Sequence, residues 1–115
     1  MDEVWHFSAG DPAELVVMGP RGDTSRVVVL GPDLEAGHVP QAFVQAGEWQ
    51  GARIRKPAAP GAKGWSLFGC TVSPAWDERE FELGQRGALI AEFPADAELV
   101  RCLTRQPEGT GTVAF

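Results

Sequence analysis

Six short runs of β-branched, aromatic and aliphatic residues follow one another along the chain, and a Gly- or Pro-bearing turn cuts off each of them. The runs are residues 4–7, 14–18, 26–30, 41–44, 48–55 and 65–72. The interruptions include Gly10-Asp11-Pro12, Gly19-Pro20-Arg21-Gly22-Asp23, Gly31-Pro32-Asp33, Ala46-Gly47, Pro57 to Gly61 and Ser73-Pro74. Glycine enters left-handed turns at no steric cost, and proline cannot donate to a strand ladder, so neither sustains a long element. Short strands recurring every ~8–12 residues read as an all-β sandwich or barrel. No helix separates them, which excludes a doubly wound α/β sheet. The runs 14–18 and 26–30 are expected to form a hairpin with a longer loop.

The end of the chain changes period. Residues 86–93 carry apolar side chains at helical spacing, and 95–104 repeat this with Ala97, Val100 and Leu103 before Arg105. Pro94 stands between them and suits the start of the second helix. Residues 106–115, QPEGTGTVAF, read as a loose tail in which Val113 and Phe115 could add an edge strand. The expectation is one domain over 1–105 and a tail over 106–115, since 115 residues match one ordinary domain.

Charge and cysteine usage remove several functions. The net charge is −6, and the basic residues cluster only at Arg53, Arg55 and Lys56. A nucleic-acid surface needs far more positive charge to neutralise phosphate, so no nucleic-acid partner is expected. Cys70 and Cys102 form no CxxC or CxxH spacing, so they read as two reduced thiols of a cytoplasmic protein. The acidic start lacks the apolar stretch of a signal peptide. The longest aliphatic run, Val27 to Leu30, falls far short of the ~20 residues of a membrane span, so no membrane partner is expected.

Four stretches carry a family likeness: DEVWHFSAGDPAEL (2–15), VLGPDLEAGHVPQAFVQAGEWQGAR (29–53), WSLFGCTVSPAWDEREFEL (65–83) and LIAEFPADAELVRCLTR (89–105). Through them the chain resembles the DUF985 (cupin-5) branch of the cupin superfamily. The resemblance implies a double-stranded β-helix, the jelly-roll cupin barrel, here with two short C-terminal helices. It also implies a homodimer and a small molecule held inside the barrel. Glu3 and Gly10 have the spacing that closes the first cupin motif. The stretch Gln45-Ala46-Gly47-Glu48-Trp49-Gln50 occupies the second, Pro-x-Gly-x-x-His. Gln45 and Ala75 stand where the family pattern has Pro and Gly. Of the usual metal ligands only Glu3 remains, with Gln50 at the histidine position. An amide is a poor transition-metal ligand, so no metal and no cofactor are expected. The resemblance also implies a further segment ahead of DEVWHF, so either the start has been lost here or the chain is a shortened member. A partner subunit or the protein's own Thr112–Phe115 is expected to cover the strand edge this leaves.

Strand alternation then sorts the candidates. Glu3, Trp5 and Phe7 share one face; His6 lies on the other. Without the resemblance Glu3 reads as an exposed strand-end residue, and with it as facing the pocket. Gln50 shares a face with Glu48 and would sit near Glu3. Gln41 and Phe43 are expected to look inward, and Ser66 and Phe68 to share a face with Cys70. The expected ligand-binding set is therefore Glu3, Trp5, Phe7, Gln41, Phe43, Glu48, Gln50, Ser66 and Phe68. Apolar walls with a few polar groups suit a sugar-like or hydroxy-acid ligand. The alternative is a metal-independent isomerase or epimerase that abstracts a proton next to a carbonyl, with Glu3 or His6 as base. Whether the protein is an enzyme stays open. His38 reads as a solvent-facing loop residue or part of a pocket rim, Cys70 as a small core residue, and the four Trp as core and interface mass.

Overall fold

The segment Ala13-Glu14-Leu15-Val16-Val17-Met18 is apolar on both parities, and a strand of that kind needs cover on both faces. In the computed structural model, which describes residues 1–19, 25–55 and 60–105, it forms strand β2 (Ala13–Met18) at the centre of a three-stranded sheet. Its neighbours are β3 (Ser25–Leu30) and β5 (Trp49–Ile54), both antiparallel to it. The expected β2–β3 hairpin is present, although residues 20–24 of its turn lie outside the described residues. The second sheet places β1 (Asp2–Gly10) between β4 (Gln41–Val44) and β6 (Ser66–Ser73), again antiparallel.

The two sheets face each other. Leu15, Val17 and Leu30 of one meet Trp5 and Val44 of the other, with Phe7, Phe68 and Ala52 packed around them. The opposite face of β2 presents Val16 and Met18 to two seven-residue helices, α1 (Arg86–Glu92) and α2 (Ala97–Leu103). Helices this short do not persist alone in water. Leu89, Phe93, Val100 and Leu103 hold them against the sheet, and each fully buried aliphatic or aromatic side chain contributes about 1.5–3 kcal/mol. Gly51 permits the approach of α2, because a Cβ there would lie 3.1 Å from a methyl of Leu103. Arg86 closes the end of α2, donating to the Thr104 hydroxyl at 2.8 Å and to the Arg101 and Thr104 carbonyls. Pro94 opens a 3-10 turn before α2, as its fixed φ favours. The tail 106–115, with its expected edge strand and cover by Thr112–Phe115, lies outside the described residues.

Every connection except the β2–β3 hairpin crosses from one sheet to the other. The first crossing is built at Gly10, which ends β1 with φ 93° and passes so close to Trp65 that a Cβ would meet its carbonyl oxygen at 2.4 Å. Asp11 then ties this corner to the loop before β6. Its carboxylate accepts from the Lys63 and Gly64 amides at 2.8 and 2.7 Å, and its amide donates to the Trp65 carbonyl at 2.7 Å. Along β1 the pairing with β6 slips by one residue at Ser8, a bulge that twists the strand towards this corner.

The Lys63 amide, with help from the Gly64 and Trp65 amides and the Lys63 charge, holds the Asp11 carboxyl below its ordinary value of 3.8 against the opposing effect of burial. A lowered carboxyl contributes stability above the unfolded value and loses it as pH falls through the folded one. Asp11→Asn is therefore expected to lower the thermal midpoint at neutral pH. The gap between the variant and the parent should begin to narrow as pH falls towards 3.8 and close only well below it, once pH has passed the lowered folded value. A gap that persists unchanged in acid would show that the carboxylate charge is not what holds the corner.

Candidate functional site

Glu3 is the most deeply buried charged side chain among the described residues, with 4% of its surface exposed. The register explains why. Glu3 pairs with Val44 on one side and Val72 on the other, and its face continues through Trp5 to the inter-sheet core. Gln50 comes from the other sheet. It pairs with Val17 on β2, so it shares the inward face with Val17 and Ala52.

The two strands meet through three side chains. The Trp5 indole donates to Gln50 Oε1 at 2.6 Å, and Gln50 Nε2 donates to Glu3 Oε2 at 2.5 Å. An indole can only donate and a carboxylate can only accept, so these two neighbours fix which end of the Gln50 amide points where. The other carboxylate oxygen is left over. Glu3 Oε1 is buried and accepts no hydrogen bond from any described residue. The Cys70 thiol lies diagonally across the β1–β6 pair from Glu3 and interacts with its carboxylate. Burial, then the charge of Glu3 and this contact, push the thiol up to about 12. Cys70 is exposed to solvent, yet all three causes act in one direction, so it stays protonated and is no nucleophile at neutral pH.

Glu3 and Gln50 reach a cleft of about 190 Å³. Its other walls are Met1, Gln45, Gly47, Glu48 and Trp49 on one side and Val72, Trp76, Glu80, Phe81 and Glu82 on the other. Glu48 is held in place by the Gln45 amide at 2.8 Å and by Arg26 at 3.0 Å. Trp76 and Phe81 lie with ring centroids 5.3 Å apart and planes tilted by 49°.

The structure thus brings Glu3, Trp5, Gln50 and Glu48 together. Phe7 and Phe68 share the inward face but pack edge-on in the core beyond Trp5. Ser66 sits at the far end of β6, donating to the Asp11 carbonyl. The expectation that Gln41 and Phe43 look inward is corrected. On β4 it is Ala42 and Val44 that pair with Trp5 and Glu3, so Gln41 and Phe43 point outward and Phe43 is half exposed. Gln41 lies there beside His6, which also contacts the Thr71 hydroxyl at 3.1 Å, on the face away from Glu3. His38 borders a second cavity, of about 490 Å³, near the other end of β1. Two of the polar groups there are already engaged: Asp11 by two backbone amides, and His38 Nδ1 by the Asp33 amide. Sequence reasoning missed the segment after β6. Trp76, Glu80, Phe81 and Glu82 belong to no strand or α-helix, so no periodicity signals their direction.

Two facing antiparallel sheets with a buried carboxylate–amide–indole chain between them define a β-sandwich domain with an internal polar site. The comparisons say which one. The profile described as "Cupin superfamily (DUF985)" matches residues 1–84, and the chain belongs to that family. Among solved structures it is similar to protein SO0799 from Shewanella oneidensis, at 35% identity and a TM-score of 0.79, covering 90% of this chain and 61% of that one. It is also similar to a hypothetical protein from Leishmania major, at 30% identity and a TM-score of 0.79, covering 88% of this chain and 62% of that one. The chain therefore spans less than two-thirds of the length of either. No curated protein matches it.

The residues around Glu3 do not suit the transition metal that other cupins bind. Gln50 replaces an imidazole, Cys70 is kept a thiol, and no three His, Cys, Asp or Glu side chains converge among the described residues.

Removing the amide should unhinge the site. Gln50→Ala leaves both the Trp5 indole and Glu3 Oε2 without their partner, and it is expected to cost about 1–3 kcal/mol in urea unfolding. A loss within error of zero would mean that the chain from Trp5 to Glu3 carries no stability.

Proposed function

We propose that this protein is a small-molecule-binding cupin whose ligand enters the cleft over Glu3 and Gln50. The observation that carries this reading is Glu3 Oε1, a buried acceptor with no described partner in a residue otherwise held rigidly. Burying such a group unpaired is costly, and a ligand that donates a hydrogen bond removes the cost. A hydroxyl-rich, sugar-like guest has such donors, and Trp49, Trp76 and Phe81 supply the apolar wall such guests stack on. A hydroxy acid fits less well, because its carboxylate would join those of Glu48, Glu80 and Glu82.

On the same reading the two sheets are halves of a jelly-roll barrel, and the protein is a cytoplasmic homodimer. Support for association comes from the outer face of the β4–β1–β6 sheet, where Phe43 and Leu67 are 50% and 55% exposed. Sedimentation equilibrium is expected to give twice the chain mass, and a monomer at micromolar concentration would remove the dimer. Among the described residues no helix is long and apolar enough to cross a membrane. The isomerase alternative would need Glu3 as its base, since His6 lies on the opposite face.

A thermal-shift screen of neutral sugars, amino sugars and polyols tests the pocket. Ligands that raise the midpoint of the parent protein should fail to do so in Glu3→Ala and in Gln50→Ala, while both variants stay folded by circular dichroism. If both variants keep the full shift, the ligand binds elsewhere.

A further inference from the structure

The charge around the cleft is one-sided. Four carboxylates line it, Glu3, Glu48, Glu80 and Glu82, and among the described residues no lysine, arginine or histidine side chain does, the Met1 amino group being the one cation there. Two of the four are compensated: Arg26 pairs with Glu48, and the Met1 amino group lies 3.7 Å from Glu80. Glu3 and Glu82 have no ion-pair partner among the described residues, which leaves an excess of two negative charges. Acidic residues alone would say little, because a solvated acidic rim is ordinary. Glu3 is different. It is 4% exposed, its Oε2 is already bound, and its buried Oε1 meets no nitrogen or oxygen donor among the described residues, the weakly donating Cys70 thiol being the one group that interacts with the carboxylate. The missing partner must therefore donate, and in a partly desolvated, negative cleft a positively charged donor gains most.

We propose that the cleft recognises an organic ammonium, a small primary amine or amino sugar, whose nitrogen donates to Glu3 Oε1. This rests on the reading of the cleft as the ligand site and names the class of guest. The aromatic walls agree with it. Trp49, Trp76 and Phe81 line the same space, and a cation over a ring face is attracted by the ring quadrupole. The volume agrees as well: about 190 Å³ is smaller than the roughly 300–1,000 Å³ of pockets for drug-sized ligands. Gln50 contributes by being occupied. With one amide end held by the Trp5 indole and the other by Glu3 Oε2, it fixes the carboxylate and leaves Oε1 as the acceptor for the guest.

The test compares amine, alcohol and carboxylate on a common skeleton: benzylamine, benzyl alcohol and benzoate, then glucosamine, glucose and gluconate. Binding is measured by calorimetry and thermal shift at a pH that keeps the amines protonated. The amine of each set is expected to bind tightest and the carboxylate not at all, with amine affinity falling as salt rises. Glu3→Gln keeps the shape and an acceptor for Gln50, and should weaken the amine roughly tenfold or more while leaving the alcohol nearly unchanged. Glu82→Gln, at an exposed position, should weaken it by a smaller factor. Alcohols that bind as tightly as amines and lose affinity in Glu3→Ala would overturn the ammonium assignment and leave the pocket standing. A carboxylate preference, or amine affinity unchanged in Glu3→Gln, would also overturn it. No binding by any compound would sink both readings.

Discussion

The fold depends on one strand that can leave neither of its faces in water. On β2, Leu15 and Val17 point into the space between the sheets, while Val16 and Met18 point at the helices. All four are buried to within a few per cent. One face requires a second sheet and the other requires a helical layer, so the three layers follow from a single apolar run. The same strand fixes the site. By pairing Val17 with Gln50 it turns the Gln50 amide inward, towards a carboxylate delivered by the opposite sheet.

The carboxylate–amide–indole chain explains what a glutamine does at a position where other cupins carry a metal-binding histidine. An amide offers a donor and an acceptor at once, and here each is taken, one by Glu3 and one by Trp5. Gln50 thus acts as a strut between the sheets. Its effect on Glu3 is to satisfy one oxygen and immobilise the other in a preset direction. Binding groups held rigid before the ligand arrives lose little entropy on binding. Beside them burial and the carboxylate's charge push the Cys70 thiol up, so it stays protonated.

Much of this was legible along the chain because strand alternation and turn chemistry are local. Glu3 and Trp5 share a face in any strand drawn through residues 2–7, and Gln50 shares one with Ala52. Gly10, read as a turn residue and a motif spacing, has its physical reason in a positive φ and its close approach to Trp65. The run 41–44 misled for a reason equally physical. Gln41-Ala42-Phe43-Val44 has an apolar residue on each parity, and the bulky Phe43 suggests the inward face. Pairing with β1 decides otherwise, setting the smaller Ala42 and Val44 against Trp5 and Glu3, where the inter-sheet space is already filled by the indole.

Taken alone, the sequence determined the order and rough extent of six strands and two helices, the turns at Gly10, Gly31 and Gly47, and that Glu3 and Trp5 would share one strand face. Those properties depend on residues within a few positions of one another. The tertiary structure decided which strands pair, which parity of β4 is buried, and that Trp76, Glu80, Phe81 and Glu82 fold back over the end of β1 to wall a cleft. It also decided that one oxygen of Glu3 is held and the other is not. The Glu3–Gln50 and Trp5–Gln50 contacts join residues 47 and 45 positions apart on different sheets. Only the packing of those sheets sets their distances, because no local preference of the chain reaches that far.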